Sequence, residues 1–329
     1  MATSQPASLP PDGDATLTAT TSPLPSLEQS LQEIDGLRRA ARERGWRLLA
    51  ALGIAWLMGI LAVAVSGIAS VGMMLVVGAF GSLSVYFIGI HGPAEAYKQA
   101  FKSQVIGRLV AARYEDASFS AGGGIGQAEF ESSRLYQQGI DRYNTEDLIE
   151  ARLGATGFRM AEIHAEYKTT TTDGKGRTTT HWHTIFKGRF LVARFSKRFQ
   201  GTTLVLSEAW RLFGMSGLEK VTLEDPAFEK LFAVYATDQV EARYLLSPSL
   251  MERLVASRQK LDAKVQAAFM DDHVILAIPD AYNRFEPPSF WSSSPLLSED
   301  DVQTYAADIA LAAELIGELN LERRIWVRG

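Results

Sequence analysis

From Leu48 to Ile90 the chain runs for 43 residues without an Asp, Glu, Lys or Arg. One spanning helix needs about 20 apolar residues, so this stretch suffices for two. A single soluble helix of that length would fall far outside the usual range. Ser66-Gly67 interrupts the apolar run. The pattern therefore predicts helices over about 47–65 and 69–90, forming an antiparallel hairpin within 47–91. Upstream, Leu27, Leu31, Ile34 and Ala41 recur at helical spacing. Ser26 and Gln29 fit a capping box, which predicts a juxtamembrane amphipathic helix over 26–46. A coiled coil is the alternative, but three or four heptads are not present. Residues 1–25 are rich in Ser, Thr, Pro and Ala, with few large apolar groups to offset ordering entropy. They are predicted to be a disordered tail, not a signal peptide.

Beyond the hairpin, 92–329 is predicted to form one domain. Gly92-Pro93 suggests a break, with Pro93 in the first turn of a new helix. Tyr97, Phe101, Val105 and Leu109 carry that helix to about Tyr114. The glycine run 122–126 lacks the Gly-Lys-Ser/Thr ending of a phosphate-binding loop and reads as a flexible linker. From Met160 to Phe199 the period changes to two, rich in Thr, Phe, Val and Ile, with a turn at Asp173-Gly174-Lys175-Gly176. Strands are also predicted at 203–206 and 231–235, and a hairpin at 265–278. Helices should start at Asp238, with Glu241 completing a cap, and at Ser247-Pro248. After a loop containing Pro287-Pro288, an amphipathic helix should occupy about 299–319. Strands and helices are partly segregated, so the predicted class is α+β: a mixed, mainly antiparallel sheet with flanking helices.

Flanking charge sets the expected orientation. Arg38, Arg39, Arg42, Arg44 and Arg47 precede the first helix, and Lys98, Lys102, Arg108 and Arg113 follow the second. The connecting turn is uncharged, so both basic flanks belong on the cytoplasmic side. The expectation is a multi-pass protein of a bacterial inner membrane, with both termini and the main domain cytoplasmic. Trp46 and Tyr86 sit near the ends, where aromatic rings favour the interface. Small residues (Gly53, Ala55, Gly59, Gly72, Gly78, Gly81, Ser82) suit either close packing of the hairpin on itself or self-association. Only His91, at the very end, is ionisable within the spans, which argues against an ion pathway through the hairpin alone.

Net charge is −5 and cysteine is absent. The first gives no footprint for nucleic acid. The second excludes disulfides, thiol nucleophiles and cysteine-ligated metal. No cofactor is expected.

Four segments stand in order behind the hairpin: Ile185–Phe190, Leu223–Lys230, Asp238–Pro248 and Met251–Leu254. Together they resemble the bacterial family of unknown function DUF3137, over roughly residues 90–325. The resemblance implies a bacterial membrane protein and supplies no catalytic residues.

Candidate chemistry is sparse. A β-turn centred on Gly174-Lys175 would place His183 opposite Glu166, His181 opposite Lys168 and Ile185 opposite His164. His164, Glu166, His181 and His183 could then share a face and offer ligands to zinc or another transition metal. The alternative is a solvated polar face, and Lys168 would oppose a cation there. Alternation also places Lys187, Arg189 and Lys197 on one face, either a patch for anionic lipid or an ordinary solvated strand. Glu224-Asp225 and Asp271-Asp272 are adjacent pairs that point to opposite faces of a strand, so neither is an acid–base dyad; Asp225-Pro226 instead suits a cap. Gly214-Met215-Ser216-Gly217 is one residue short of a nucleophile elbow. The function expected is a membrane-tethered interaction or scaffold domain, whose partners are the bilayer and a membrane protein or a second copy. Alternatives are an enzyme or metal-binding protein using the histidine region, or an accessory subunit of a membrane complex.

Overall fold

The computed structural model describes residues 24–66, 71–194, 198–207 and 217–319. Residues 1–23 of the expected tail, the turn after Ser66, Lys197 and Gly214–Ser216 lie outside the described residues; the last two residues of the expected tail, Leu24 and Pro25, belong to a helix.

Helix α1, Leu24–Ser66, is one unbroken helix. The expected division near residue 46 is absent, because no proline or turn signal separates the amphipathic stretch from the apolar one. Ser26 lies inside the helix rather than at its cap. Ile34 is fully buried in one core cluster with Tyr97 and Phe101, so the first part of α1 belongs to the core of the domain.

Helix α2 spans 71–113 and also runs through its expected break. Its segments are Val71–Ser84, a wide π turn Val85–His91, Gly92–Phe101, a second π turn Lys102–Ile106, and Gly107–Arg113. Pro93 has no N–H to donate. The wide turn just before it lets the helix pass the proline without breaking. The apolar parts of α1 and α2 lie side by side and antiparallel. Trp56 donates its ring N–H to Ser82 Oγ at 3.2 Å, and its ring rests on Gly78, where a Cβ would meet it at 2.6 Å. Leu48 likewise packs on Gly89. These small residues admit the facing helix, as close packing of a hairpin requires.

Among the described residues, nine strands form one sheet in the order β1-β2-β3-β4-β9-β8-β5-β7-β6. They are β1 Glu115–Ser120, β2 Arg142–Leu153, β3 Thr156–Thr172, β4 Thr178–Arg194, β5 Thr203–Ser207, β6 Glu219–Val221, β7 Phe232–Ala236, β8 Gln266–Met270 and β9 His273–Pro279. Every pairing among the described strands is antiparallel, not mixed. The remaining helices are α3 Gln127–Ser132, α4 Pro226–Leu231, α5 Gln239–Leu245, α6 Pro248–Leu261 and α7 Glu299–Glu318.

Capping side chains set the helix starts. Asp225 caps α4, Asp238 caps α5, Ser247 caps α6, and Ser298 with Asp301 forms a full capping box on α7. Glu241 does not complete the box at Asp238; its carboxylate instead accepts from the backbone N–H groups of Gln200 and Gly201. The glycine run is no flexible linker. A strand precedes it, a helix follows, and a Cβ on Gly124 would collide with Thr145.

Both faces of the sheet are covered. On one, Phe158, Met160 and Leu191 pack with Phe101 and Val105 of α2 and Ile309 of α7. On the other, Ala161, Ile163 and Phe190 pack against Phe130 of α3, Leu135 and Tyr136. The ends of β3 and β4 extend beyond this cover as a threonine-rich ribbon, exposed from Thr169 to Thr180.

Candidate functional site: a buried charge centre between α2 and the sheet

Two irregularities meet at one point. The second π turn of α2 begins at Lys102, and β2 bulges between Glu146 and Ile149 with Asp147 at a φ of +61°. A bulge re-aims side chains. Here it turns Glu146 and Asp147 together toward the helix. Lys102 is fully buried. Its ammonium lies 2.6 Å from Asp147 Oδ2, and 2.9 Å from both Glu146 Oε2 and Glu286 Oε1. Lys98, one turn earlier, reaches Glu286 at 2.9 Å and Glu146 at 3.7 Å.

Glu162 of β3 completes the group. Carboxylate oxygens of Glu146, Asp147 and Glu162 lie within 4.8 Å of one another. Glu162 also accepts a hydrogen bond from the Arg284 backbone N–H at 2.8 Å. Two ammoniums thus face four carboxyls, and the acids respond unequally. Burial pushes Glu162 up to about 7, helped by Asp147 and Glu146 nearby. Burial pushes Asp147 up to about 6 against the pull of Lys102. Burial alone would raise Glu286, but hydrogen bonds from Lys98 and Lys102 hold it below the usual range.

The triad Glu146, Asp147 and Glu162 has the spacing of a cation site. The cation it faces is Lys102 itself, and an ion there would have to displace that ammonium. A polar cavity of about 440 Å³ opens beside it, lined in part by Glu146, Glu162, His164, Lys187, Tyr282 and Asn283. Asn283 donates to Glu146 Oε1 at 3.1 Å.

A second ion group ties the sheet to the last helix. Arg189 of β4 is buried, with Asp308 of α7 at 2.9 Å and Asp280 at 3.5 Å. Arg284 pairs with the same Asp280 at 2.6 Å.

The residues expected from the sequence fall elsewhere. Thr172 pairs with Thr178, and an extra residue in β4 shifts the register again between Ala165 and Glu166. Glu166 therefore faces Thr184, Tyr167 faces His183, Thr169 faces His181 and His164 faces Lys187. His164 and Glu166 share one face, 3.6 Å apart, and His181 and His183 lie on the other. His183 stacks on Tyr167 at 4.8 Å between ring centres. Lys168 backs onto Asp141, and Trp182 lies under Arg142 at 3.8 Å. The four candidate ligands do not converge. Of the expected basic patch, Lys187 borders the cavity and Arg189 is buried under α7, while Lys197 lies outside the described residues.

Lys98 and Lys102 read only as flanking charge in the sequence, and Glu146, Asp147, Glu162 and Glu286 did not stand out. One signal was available. Lys98 and Lys102 are four apart and adjoin the buried stripe of Tyr97, Phe101 and Val105, which places a charge beside the core.

The fold is thus an α+β protein whose antiparallel sheet is built directly onto two long apolar helices. Residues 184–321 match the family model DUF3137, protein of unknown function; the family suspected from the motifs is the one that matches, over a shorter span than the motifs suggested. That span includes Arg189, Asp280, Arg284, Glu286 and Asp308, while Lys98, Lys102, Glu146, Asp147 and Glu162 precede it. No curated protein matches the chain. Among solved structures it is similar to the mycobacterial trehalose monomycolate transport factor A, TtfA, at 9% identity and a TM-score of 0.32, over 65% of this chain and 96% of that one.

Proposed function

We propose that this protein is a membrane-tethered scaffold without catalysis of its own, held in a bacterial inner membrane by the α1–α2 hairpin with its sheet domain in the cytoplasm. Two helical stretches, Gln29–Val65 and Met74–Arg113, are long and apolar enough to cross a membrane, and basic residues flank both on the domain side. The observation that carries the reading is the continuity of α2. One helix runs from the apolar segment to Lys102, where three carboxyls of the domain, those of Glu146, Asp147 and Glu286, close around its ammonium. Sheet and hairpin are therefore joined by a covalent helix and a buried ion cluster, and a partner bound by one is held in register with the other. The partner is a membrane protein or a second copy of this chain. Crosslinking in native membranes followed by affinity purification tests this. The expected result is a stoichiometric partner that is lost when only the apolar parts of α1 and α2, from Leu48 to Ile90, are replaced by an unrelated hairpin. Recovery of the chain alone would refute the reading. A reporter fused after Gly329 should be active only on the cytoplasmic side.

A further inference from the structure

The loop before α7 is uncharged from Pro287 to Ser298 and carries Phe290 and Trp291 at its centre. It is strapped to the two long helices at several points. Tyr97 of α2 donates to the Pro288 carbonyl at 3.0 Å, and Arg42 of α1 donates to the Ser292 carbonyl at 3.1 Å. Lys98 binds Glu286 at the start of the loop. Gly45 of α1 lets the Trp291 ring lie directly on the helix; a Cβ there would meet the ring at 2.7 Å.

This contact falls at a particular height. Gly45 precedes Leu48, the first residue of the uncharged run, by three residues, or about 4.5 Å along a helix. Leu48 packs on Gly89 near the domain end of the apolar run in α2. Trp291 therefore lies level with the entry of both helices into the apolar zone. It meets Trp46 edge-on at 5.5 Å between ring centres and Phe290 at 4.4 Å. Despite these contacts Trp46 remains 62% exposed and Trp291 37% exposed. Arg44 and Arg47, exposed on the same stretch of α1, stand at this height, Arg47 in a solvent-exposed pair with Glu43 at 3.4 Å. Tryptophan favours the boundary between headgroups and acyl chains, where its ring is apolar and its N–H stays wet. Arginines at the same level suit anionic headgroups.

We propose that the Pro287–Ser298 loop is a second membrane-contacting element, seating Trp291 beside Trp46 in the headgroup–acyl boundary of the leaflet that the hairpin enters. It would hold the sheet domain on the bilayer surface in one orientation rather than on a free tether. The proposal rests on the membrane-spanning reading of α1 and α2.

The chain has no cysteine, so single introduced cysteines can be spin-labelled in the full protein reconstituted in bilayers containing anionic phospholipid. Ser293→Cys probes the loop, Leu61→Cys the apolar hairpin, and Thr171→Cys the exposed ribbon. Oxygen concentrates in lipid and a nickel chelate stays in water, so their relative access to each label reports depth. The expected result is an oxygen-to-nickel ratio at 293 several-fold above that at 171 and below that at 61. Adding Trp291→Ser to the 293 variant should return its ratio toward the water value. A label at 293 matching 171, with 61 still in lipid, overturns the loop proposal and leaves the spanning reading standing. Loss of access to both reagents at 293 would mean shielding by protein alone and also overturns it. A water-like label at 61 removes the spanning reading itself, and the loop proposal with it.

Discussion

Glu162→Gln should flatten the dependence of stability on pH. The native carboxyl is raised from 4.5 to about 7 by burial beside Asp147 and Glu146. Between those values the folded protein holds a proton that the unfolded chain releases, so the native state binds more protons and stability falls as pH rises. The stabilisation is complete below pH 4.5 and has gone once pH exceeds about 7. At about 1.4 kcal/mol per pH unit, a span of about 2.5 units corresponds to about 3 kcal/mol. Asp147, raised from 3.8 to about 6, contributes with the same sign in both proteins and cancels in their difference. Glutamine keeps the shape and the acceptor for the Arg284 N–H but cannot ionise. Guanidinium unfolding of the full chain in detergent micelles, followed by circular dichroism at pH 5, 6, 7 and 8, reads the effect. The variant should gain on the wild type by about 2–3 kcal/mol from pH 5 to pH 8. Parallel stability curves would show that Glu162 ionises freely in the fold and would refute the reading of the centre.

Lys102→Met leaves Asp147 buried without its cation and should cost about 3–5 kcal/mol at neutral pH. Removing Asp147 as well, in Lys102→Met/Asp147→Leu, should recover much of that loss; an additive double mutant in the same unfolding assay would show that the pair is not coupled. Gly124→Ala drives a methyl into Thr145 and should cost about 1–3 kcal/mol, while Gly122→Ala, with nothing within 4 Å, should be close to neutral in melting temperature. Calorimetry with zinc should show no site shared by the four residues, because His181 and His183 lie across the sheet from His164 and Glu166; one zinc heat lost both in His181→Ala/His183→Ala and in His164→Ala/Glu166→Ala would mean that they do converge.

Much of the fold was legible where one physical signal dominates. The uncharged run marked two apolar helices. The Asp-Gly turn at 173–174 located the β3–β4 ribbon, and Asp238, Ser247 and Pro248 located helix starts, because capping is a local matter. The misses have a common cause in tertiary packing. Pro93 looked like a boundary because its missing N–H is a local defect, and a wider helical turn absorbed it. The glycine run looked flexible because glycine permits freedom, whereas here it permits close approach to Thr145 and Leu148. The histidine constellation failed on register. A closure one residue off and one extra residue in β4 move the paired residues to opposite faces, since the side-chain period of a strand is two. Strand β2 was missed altogether, although it carries the two acids that matter most.

The charge centre was illegible for a deeper reason. Its members come from a helix, two strands and a loop, and no local spacing joins Lys102 to Glu146 or Glu286. What brings them together is a π turn and a β-bulge, each inserting an extra residue into a regular ladder. Both devices re-aim side chains at some cost in backbone regularity, and Asp147 accepts a left-handed φ to face the helix. Buried ion clusters contribute little net stability compared with apolar packing of the same volume, so stability alone does not account for this arrangement. Its geometry accounts for it better. The ammonium of Lys102 has three donors, and Asp147, Glu146 and Glu286 lie around it. An apolar contact would tolerate sliding of α2 against the sheet, but a one-residue slip here would strand several buried charges at once. The centre therefore fixes the register between the helix that leads to the apolar hairpin and the sheet that carries the rest of the molecule.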